Sequence, residues 1–597
     1  MCERLPQNYI PTRYDLFIHY KINKAPFDAS VTITFEKNQD SDHVLLNVEN
    51  NITIKQIIQN DIQLKYTVQY PKLIIYRSKE PDQDISSYPI KIDYSLNPIR
   101  KGFDGFYEYQ GSYFTQFETH YTRTMLPCFD EPCIRSSFTV RIQIPAVLAG
   151  ISNMPEESTE MKDEEKLITF LPTPKMCSYL LCICVGDFKY IEGVSKSGIP
   201  VKIYGDSKVY LHLNDYMKFC TFALDWMEEK MSVKYELPHL QFISHDGIKL
   251  GMENYGLIAL DGCNRRTFFI NVLTIMHEVA HLWFGDLVST KWWDSVWLNE
   301  GFAQYYEYLM LRDSLEPGQR ASAIHTFIRF DGLRCLTYFN NQKVVPNEDE
   351  IDFSSDLLKS IIYIKGAFVL KMFSDIVGEE SFFKVCSNWL TKYKNKAAVV
   401  SEFIVTVNET LNDDYSDFFN TWLRKIGFPL LNVSENYSKT GEIVGITITQ
   451  NSFTDSLYKF KLPIVISKNE TVERLEVLVS EKETIVNCEF DWMIVNDNVD
   501  CLCAVIYSNV LLQMLNMARL NGKLSDNDEL LVFLSPKAVE SVFEIEPELK
   551  NLCNQFAVDD LPYRETFFKY NELNDNDSYS CSIDDNVSAS YSIDNIE

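Results

Sequence analysis

The segment from Arg265 to Leu315 constrains this chain more than any other. Apolar residues recur there at helical spacing in two stretches, RRTFFINVLTIMHEVAHLWFGDLV and SVWLNEGFAQYYEYLMLRDSL. The first carries His277-Glu278-Val279-Ala280-His281. Residues four apart on a helix share a face, so both imidazoles can reach one metal ion with Glu278 beside it. Glu300 opens the second stretch. Eighteen residues lie between His281 and Glu300, enough for one helix to end, a loop to cross and the next helix to return. Two histidines and a glutamate make three protein ligands with one position open, the pattern of a catalytic zinc. A structural zinc would close its shell with a fourth ligand, usually Cys. The nearest, Cys263, precedes the helix at no ligand spacing. In the open position zinc would bring a water to a pKa of about 7 and polarise a carbonyl. Glu278, next to a ligand yet off the ligand axis, could take that water's proton. These residues spell metal-assisted hydrolysis of an amide or ester. Against the blander reading, two histidines in a buried amphipathic helix, stands Glu300.

The 597 residues exceed one compact core, and about 150 residues per domain suggests four or so. The fold class expected is multidomain α+β. Residues 1–191 alternate apolar and polar positions between turn residues (YDLFIHYKI, SVTITFE, SFTVRIQI), which predicts an N-terminal antiparallel β domain. Residues 192–427 show helical periodicity and read as mostly α. Alternation returns over 428–508, a candidate small β-sandwich, and 509–570 reads as a short helical remnant. The last stretch, 571–597, holds seven acids and no Lys or Arg and lacks the apolar content to fold alone; it reads as a disordered tail.

The net charge of −28 should repel phosphate backbones and anionic lipid, so neither nucleic acid nor a membrane is an expected partner. MCERLPQNYIP has no apolar signal core, and no stretch reaches the ~20 apolar residues of a membrane helix. Fifteen cysteines without framework spacing, including the pairs Cys182/Cys184 and Cys501/Cys503, read as reduced core thiols. The expected compartment is the cytoplasm, where the sequons at Asn51, Asn408, Asn432 and Asn469 would stay unglycosylated.

HEVAHLWFGDLVSTKWWDSVWLNEGFAQYYEY resembles the zinc segment of the M1-family aminopeptidases. So do four more segments in the expected order: the opening Arg4-Leu5-Pro6 with Pro11, Tyr14 and Leu16; TQFETHYTRTMLPCFDEP from Thr115; Leu250-Gly251-Met252-Glu253-Asn254-Tyr255-Gly256; and Tyr363-x-Lys365-Gly366. VGDF from Val185 resembles the end of the family's N-terminal domain, and the likeness runs from about residue 4 to 510. It implies a thermolysin-like catalytic domain, one Zn2+ per chain on His277, His281 and Glu300, Glu278 as general base, and peptides with a free N-terminus as substrates. It further implies that Glu253, helped by Glu118, binds the substrate's α-ammonium. Tyr363 would stabilise the oxyanion. Gln116 and Met252, with Gly251 and Asn254 beside them, would line the substrate pocket. Asp130 and Glu131 keep a structural reading.

The chain departs from the pattern at several points. Leu250 and Gly251 stand where the family has Gly and Ala, and Thr119-His120 replaces a Pro-containing stretch. CLCAVIYS (Cys501 to Ser508) replaces a Tyr-Arg-Val-like segment without explanation. The helical remnant is far shorter than the family's cap, which predicts an open cleft or a cover supplied by a partner or a second copy. Two other readings compete: an epoxide hydrolase of the leukotriene A4 hydrolase type, against which the extra β domain argues, and a non-catalytic binding protein, against which the intact metal set argues. A zinc endopeptidase would share the metal chemistry but have no need of Glu118 and Glu253.

Overall fold

A computed structural model describes residues 4–21, 25–78, 84–99, 102–249, 251–263, 268–315, 343–347, 361–452, 457–497 and 500–524. The N-terminal region is built on a nine-stranded sheet with Tyr9–His19 near its middle. That strand alternates buried and half-buried positions, in keeping with its sequence. One feature departs from the antiparallel expectation: Tyr9–His19 pairs in parallel with Arg135–Pro145, Tyr14 opposite Phe138, their rings stacked at 4.9 Å. Parallel neighbours need a long crossover, and the excursion between the two strands supplies it. A four-stranded sheet includes the hairpin Gly105–Tyr109 and Ser112–Gln116, which delivers Gln116 and then Glu118 to its end.

The region read as mostly α opens instead on a five-stranded sheet. Its three inner strands, Pro200–Gly205, Leu240–Ser244 and Leu257–Leu260, run parallel; Lys189–Val194 and Gly251–Met252 are antiparallel edges. LQFIS and LIAL are buried at every position, so they lack the period of two that marks a half-exposed strand. Lys189–Val194 spans the boundary expected at 191/192. Helices α1 (Leu213–Met231), α2 (Phe268–His281) and α3 (Trp297–Ser314) follow. Further along come a π-helical turn at Ile361–Lys365, α4 (Gly366–Val377), α5 (Glu379–Tyr393), α6 (Val400–Leu411) and α7 (Ser416–Arg424). Beyond Pro429 lie a four-stranded and a three-stranded sheet, then α8 (Asn509–Leu520), whose start is capped by the Ser508 hydroxyl accepting from the Leu511 N–H. The rest of the expected helical remnant and the acidic tail, 525–597, fall outside the described residues. Among those described, eleven cysteines are free thiols, and no helix is long and apolar enough to cross a membrane.

Buried and half-buried hydrogen bonds fasten the N-terminal region to the zinc-motif region. Asn153 donates to the Tyr255 carbonyl at 3.0 Å, Gln241 to the Ser152 carbonyl at 3.0 Å, and Arg135 to the Asp286 carbonyl at 2.8 Å. Asp130 keeps its structural reading. Its carboxylate accepts from the Arg123 guanidinium at 2.8 Å and from the Arg123 N–H at 3.2 Å, with both side chains nearly solvent-free. The pair clamps the turn that follows Glu118. Glu131, also buried, accepts from the Leu5 N–H. Breaking one partner of a buried pair strands the other charge. Asp130→Ala should therefore lower the urea-unfolding free energy by ~3–5 kcal/mol; a loss under ~1 kcal/mol would show the clamp to be dispensable.

Candidate metal centre

Helix α2 is buried along its second half, from Asn271 to His281 with Thr274 the exception, which leaves His277, Glu278 and His281 enclosed at its C-terminal end. The chain reverses through Phe284-Gly285-Asp286 and re-enters as α3 with Glu300 in its first turn. The Phe284 ring stacks on Phe302 at 4.6 Å and fixes the two helices against each other. An acid in a helix's first turn is favoured by the backbone dipole, as is a cationic centre in the last turn of the preceding helix.

His277 Nε2 lies 3.4 Å and His281 Nε2 3.3 Å from Glu300 Oε2. One ligand atom from each of the three residues lies within 4.8 Å of the others. The opposite ring nitrogens are also engaged: His277 Nδ1 is 3.2 Å from Glu307 Oε2, and His281 Nδ1 is 3.0 Å from the Phe284 carbonyl. Such contacts fix the tautomer that turns Nε2 toward a metal. Burial alone would lower the pKa of His277, but the carboxylates of Glu300 and Glu307 outweigh it and bring it to about 9. Glu300 is held well below the usual carboxylate range, because His281 and His277 overcome its burial. Two imidazoles and a carboxylate at this spacing, with no cysteine in the set, suit a four-coordinate metal with one position open.

Glu278 is buried, and burial carries its carboxyl up to about 8 despite the two nearby imidazoles. Its carboxylate lies flush against Gly251: a Cβ there would fall 2.0 Å from Glu278 Oε1 and 2.6 Å from Thr274 Cγ2. The glycine that departs from the family motif thus leaves the space this carboxylate fills. Tyr363, half-buried on the π-helical turn, stacks parallel to His277 with centroids 5.7 Å apart. Burial, with Glu300 and Glu118 nearby, raises its hydroxyl well above its ordinary range. A close crossing brings it there. At Gly301 or Gly366 a Cβ would strike the Trp297 ring at 2.4–2.5 Å and would meet the other glycine's backbone at 3.3 Å.

A second acidic group shares Glu300. Carboxylate oxygens of Glu118, Glu253 and Glu300 lie within 4.8 Å of one another. Glu253 Oε1 is buried without a hydrogen-bond partner. Burial and then the Glu253 charge push the Glu118 carboxyl up; Glu253 is raised by burial. Gln116 Oε1 accepts from the Glu118 N–H at 3.4 Å, and Met252 is buried on the edge strand beside Gly251. Asn254 is fully buried, and its side-chain amide makes no hydrogen bond to the histidines or Glu300. Leu250 falls outside the described residues. Glu307 was missed in the sequence, although its place seven residues after Glu300, two helical turns along the same face, was a usable signal. The Phe284 carbonyl left no such trace.

A family model described as "Peptidase family M1 domain" matches residues 217–422, and "Peptidase M1 N-terminal domain" matches 10–180. The chain is similar to the puromycin-sensitive aminopeptidase of Caenorhabditis elegans, 26% identical over 85% of this chain and 58% of that protein. It is also similar to aminopeptidase 2 of Candida albicans (28%; 88% and 59%) and to probable aminopeptidase 1 of Sulfurisphaera tokodaii (29%; 79% and 60%). The chain thus spans somewhat over half the length of these curated relatives. Outer-shell partners of ligating histidines typically hold 10–100-fold in metal affinity. Glu307→Ala should weaken zinc binding by about that factor in a chelator competition titration. Unchanged affinity would mean that the contact to His277 Nδ1 orients nothing.

Proposed function

Because this chain belongs to peptidase family M1, we propose that it is a zinc aminopeptidase that removes single residues from peptides with a free N-terminus. Zinc on His277, His281 and Glu300 would acidify a water and polarise the scissile carbonyl. Glu278 serves as the base for that water. Buried beside the ligands, with its proton affinity raised to about 8, it can accept a proton and later pass it to the leaving amine. Tyr363 keeps its hydroxyl protonated and donates to the developing oxyanion. Glu118 and Glu253 receive the substrate ammonium, and Gln116 and Met252 bound the space for the first side chain.

The observation that carries this reading is the sharing of Glu300 between the imidazole pair and the acidic pair. An ammonium among Glu118, Glu253 and Glu300 stands about one residue from the metal seat, so only the first peptide bond can meet it. An endopeptidase has no use for such a group. The aminopeptidase relatives and the sheets beyond Pro429 do not favour the epoxide hydrolase reading.

A short Leu- or Ala-initiated peptide should lose its first residue, and its N-acetylated twin should be inert; equal cleavage of both would turn the assignment to an endopeptidase. Glu278→Gln should retain zinc while kcat falls by at least ~10²-fold. Concurrent loss of the metal would remove Glu278 from the base role. Gly251→Val, bulkier than the alanine the family carries there, should displace the Glu278 carboxylate and lower kcat by about tenfold or more with zinc intact. An unchanged kcat would show that the seat at Gly251 does not set the base's working position.

A further inference from the structure

We propose that Glu118, Glu253 and Glu300 form a second cation seat, which a divalent metal ion supplied in excess of the first occupies in place of the substrate's ammonium. The inference rests on the reading above, in which those carboxylates receive a free amine. It adds a metal site and a mode of inhibition that the aminopeptidase reaction does not require.

Two observations carry it. The first is geometric: three carboxylate oxygens, one from each residue, lie within 4.8 Å of one another and can converge on a single ion. The second is independent of spacing. Glu253 is 3% exposed, and its Oε1 has no hydrogen-bond partner. A buried carboxylate oxygen without a donor is costly, and such groups are normally paired or bound to a cation. Among the described residues the ion pairs of the centre are those of the two histidines with Glu300 and Glu307. Among the described residues no Lys or Arg pairs with Glu118 or Glu253, so the acidic side of the site has room for an added positive charge.

An ammonium and a divalent ion answer that demand in the same volume. Carboxylate oxygens accept Mg2+, Mn2+ and Zn2+ alike, and the three protein donors leave room for water. Glu300 belongs to both groups and would be shared between the two ions. Carboxylate-rich two-metal sites hold their ions about 3.5–4 Å apart, a spacing that a shared carboxylate allows. The consequence is mutual exclusion. While the second ion is bound the peptide's amine has nowhere to dock, so free metal should compete with substrate.

The probe is zinc itself. Equilibrium dialysis of the full chain against rising zinc, read by elemental analysis, should show one tight ion and a weaker second. L-leucinamide should displace the second and leave the first. Excess zinc should raise the apparent KM for a short free-amine peptide without lowering kcat. Glu118→Gln should retain the first ion, which also reports a folded centre, and weaken the second at least tenfold; Glu253→Gln provides the same test by a second route. A second ion that leucinamide does not displace, or that binds both variants as tightly as the parent, would overturn the proposal as adventitious surface binding. So would zinc inhibition acting on kcat alone. The acetylated-peptide comparison uses no excess metal, so the aminopeptidase reading can fail while the stoichiometry still reports on the seat.

Discussion

Everything about this centre depends on where one carboxylate sits. Glu300 stands 3.4 Å from one imidazole and 3.3 Å from the other, and within the same small volume as Glu118 and Glu253. A buried acid with so many neighbours is stable only if positive charge accompanies it, and the site is arranged around that requirement. The histidines provide part of it. A metal ion and a substrate ammonium provide the rest in the function proposed.

The scaffold serves that placement. Helix α3 is buried on nearly every side, and it is braced by Phe284 against Phe302 and by the crossing at Gly301 and Gly366. The crossing in turn brings Tyr363 against His277. From the other side the N-terminal sheets hand in Glu118, held by the Arg123–Asp130 clamp, while the edge strand Gly251–Met252 brings in Glu253. Five separate lengths of chain therefore meet around this centre. Glu278, the base in the function proposed, is seated against a residue without a side chain: it rests where a methyl at 251 would be.

Much of this was legible in the sequence, and the remainder was hidden for identifiable reasons. His277, His281 and Glu300 are close in sequence, and the helical period specifies the face that the two histidines share. The alternating strands of the first 180 residues announced themselves where one side is less buried than the other, as along Tyr9–His19. LQFIS and LIAL did not, because a strand buried on both faces looks like any apolar run. The parallel pairing of Tyr14 with Phe138 depends on a contact between distant segments, which local periodicity does not encode. Glu118, Glu253 and Tyr363 were named only through resemblance, since no spacing rule links them to the helix pair. Glu307 and the contact between Gly251 and Glu278 emerged only with three-dimensional packing.

The central claim is that a single zinc ion sits on two imidazoles and the shared carboxylate of Glu300. X-ray absorption at the zinc edge, on protein carrying one ion per chain, tests it most directly. The account predicts a first shell of nitrogen and oxygen at about 2.0–2.2 Å with the signature of two imidazoles and no sulfur, altered when Glu300 is replaced by Gln. A zinc–sulfur distance near ~2.3 Å, or a shell that does not change in that variant, would contradict it.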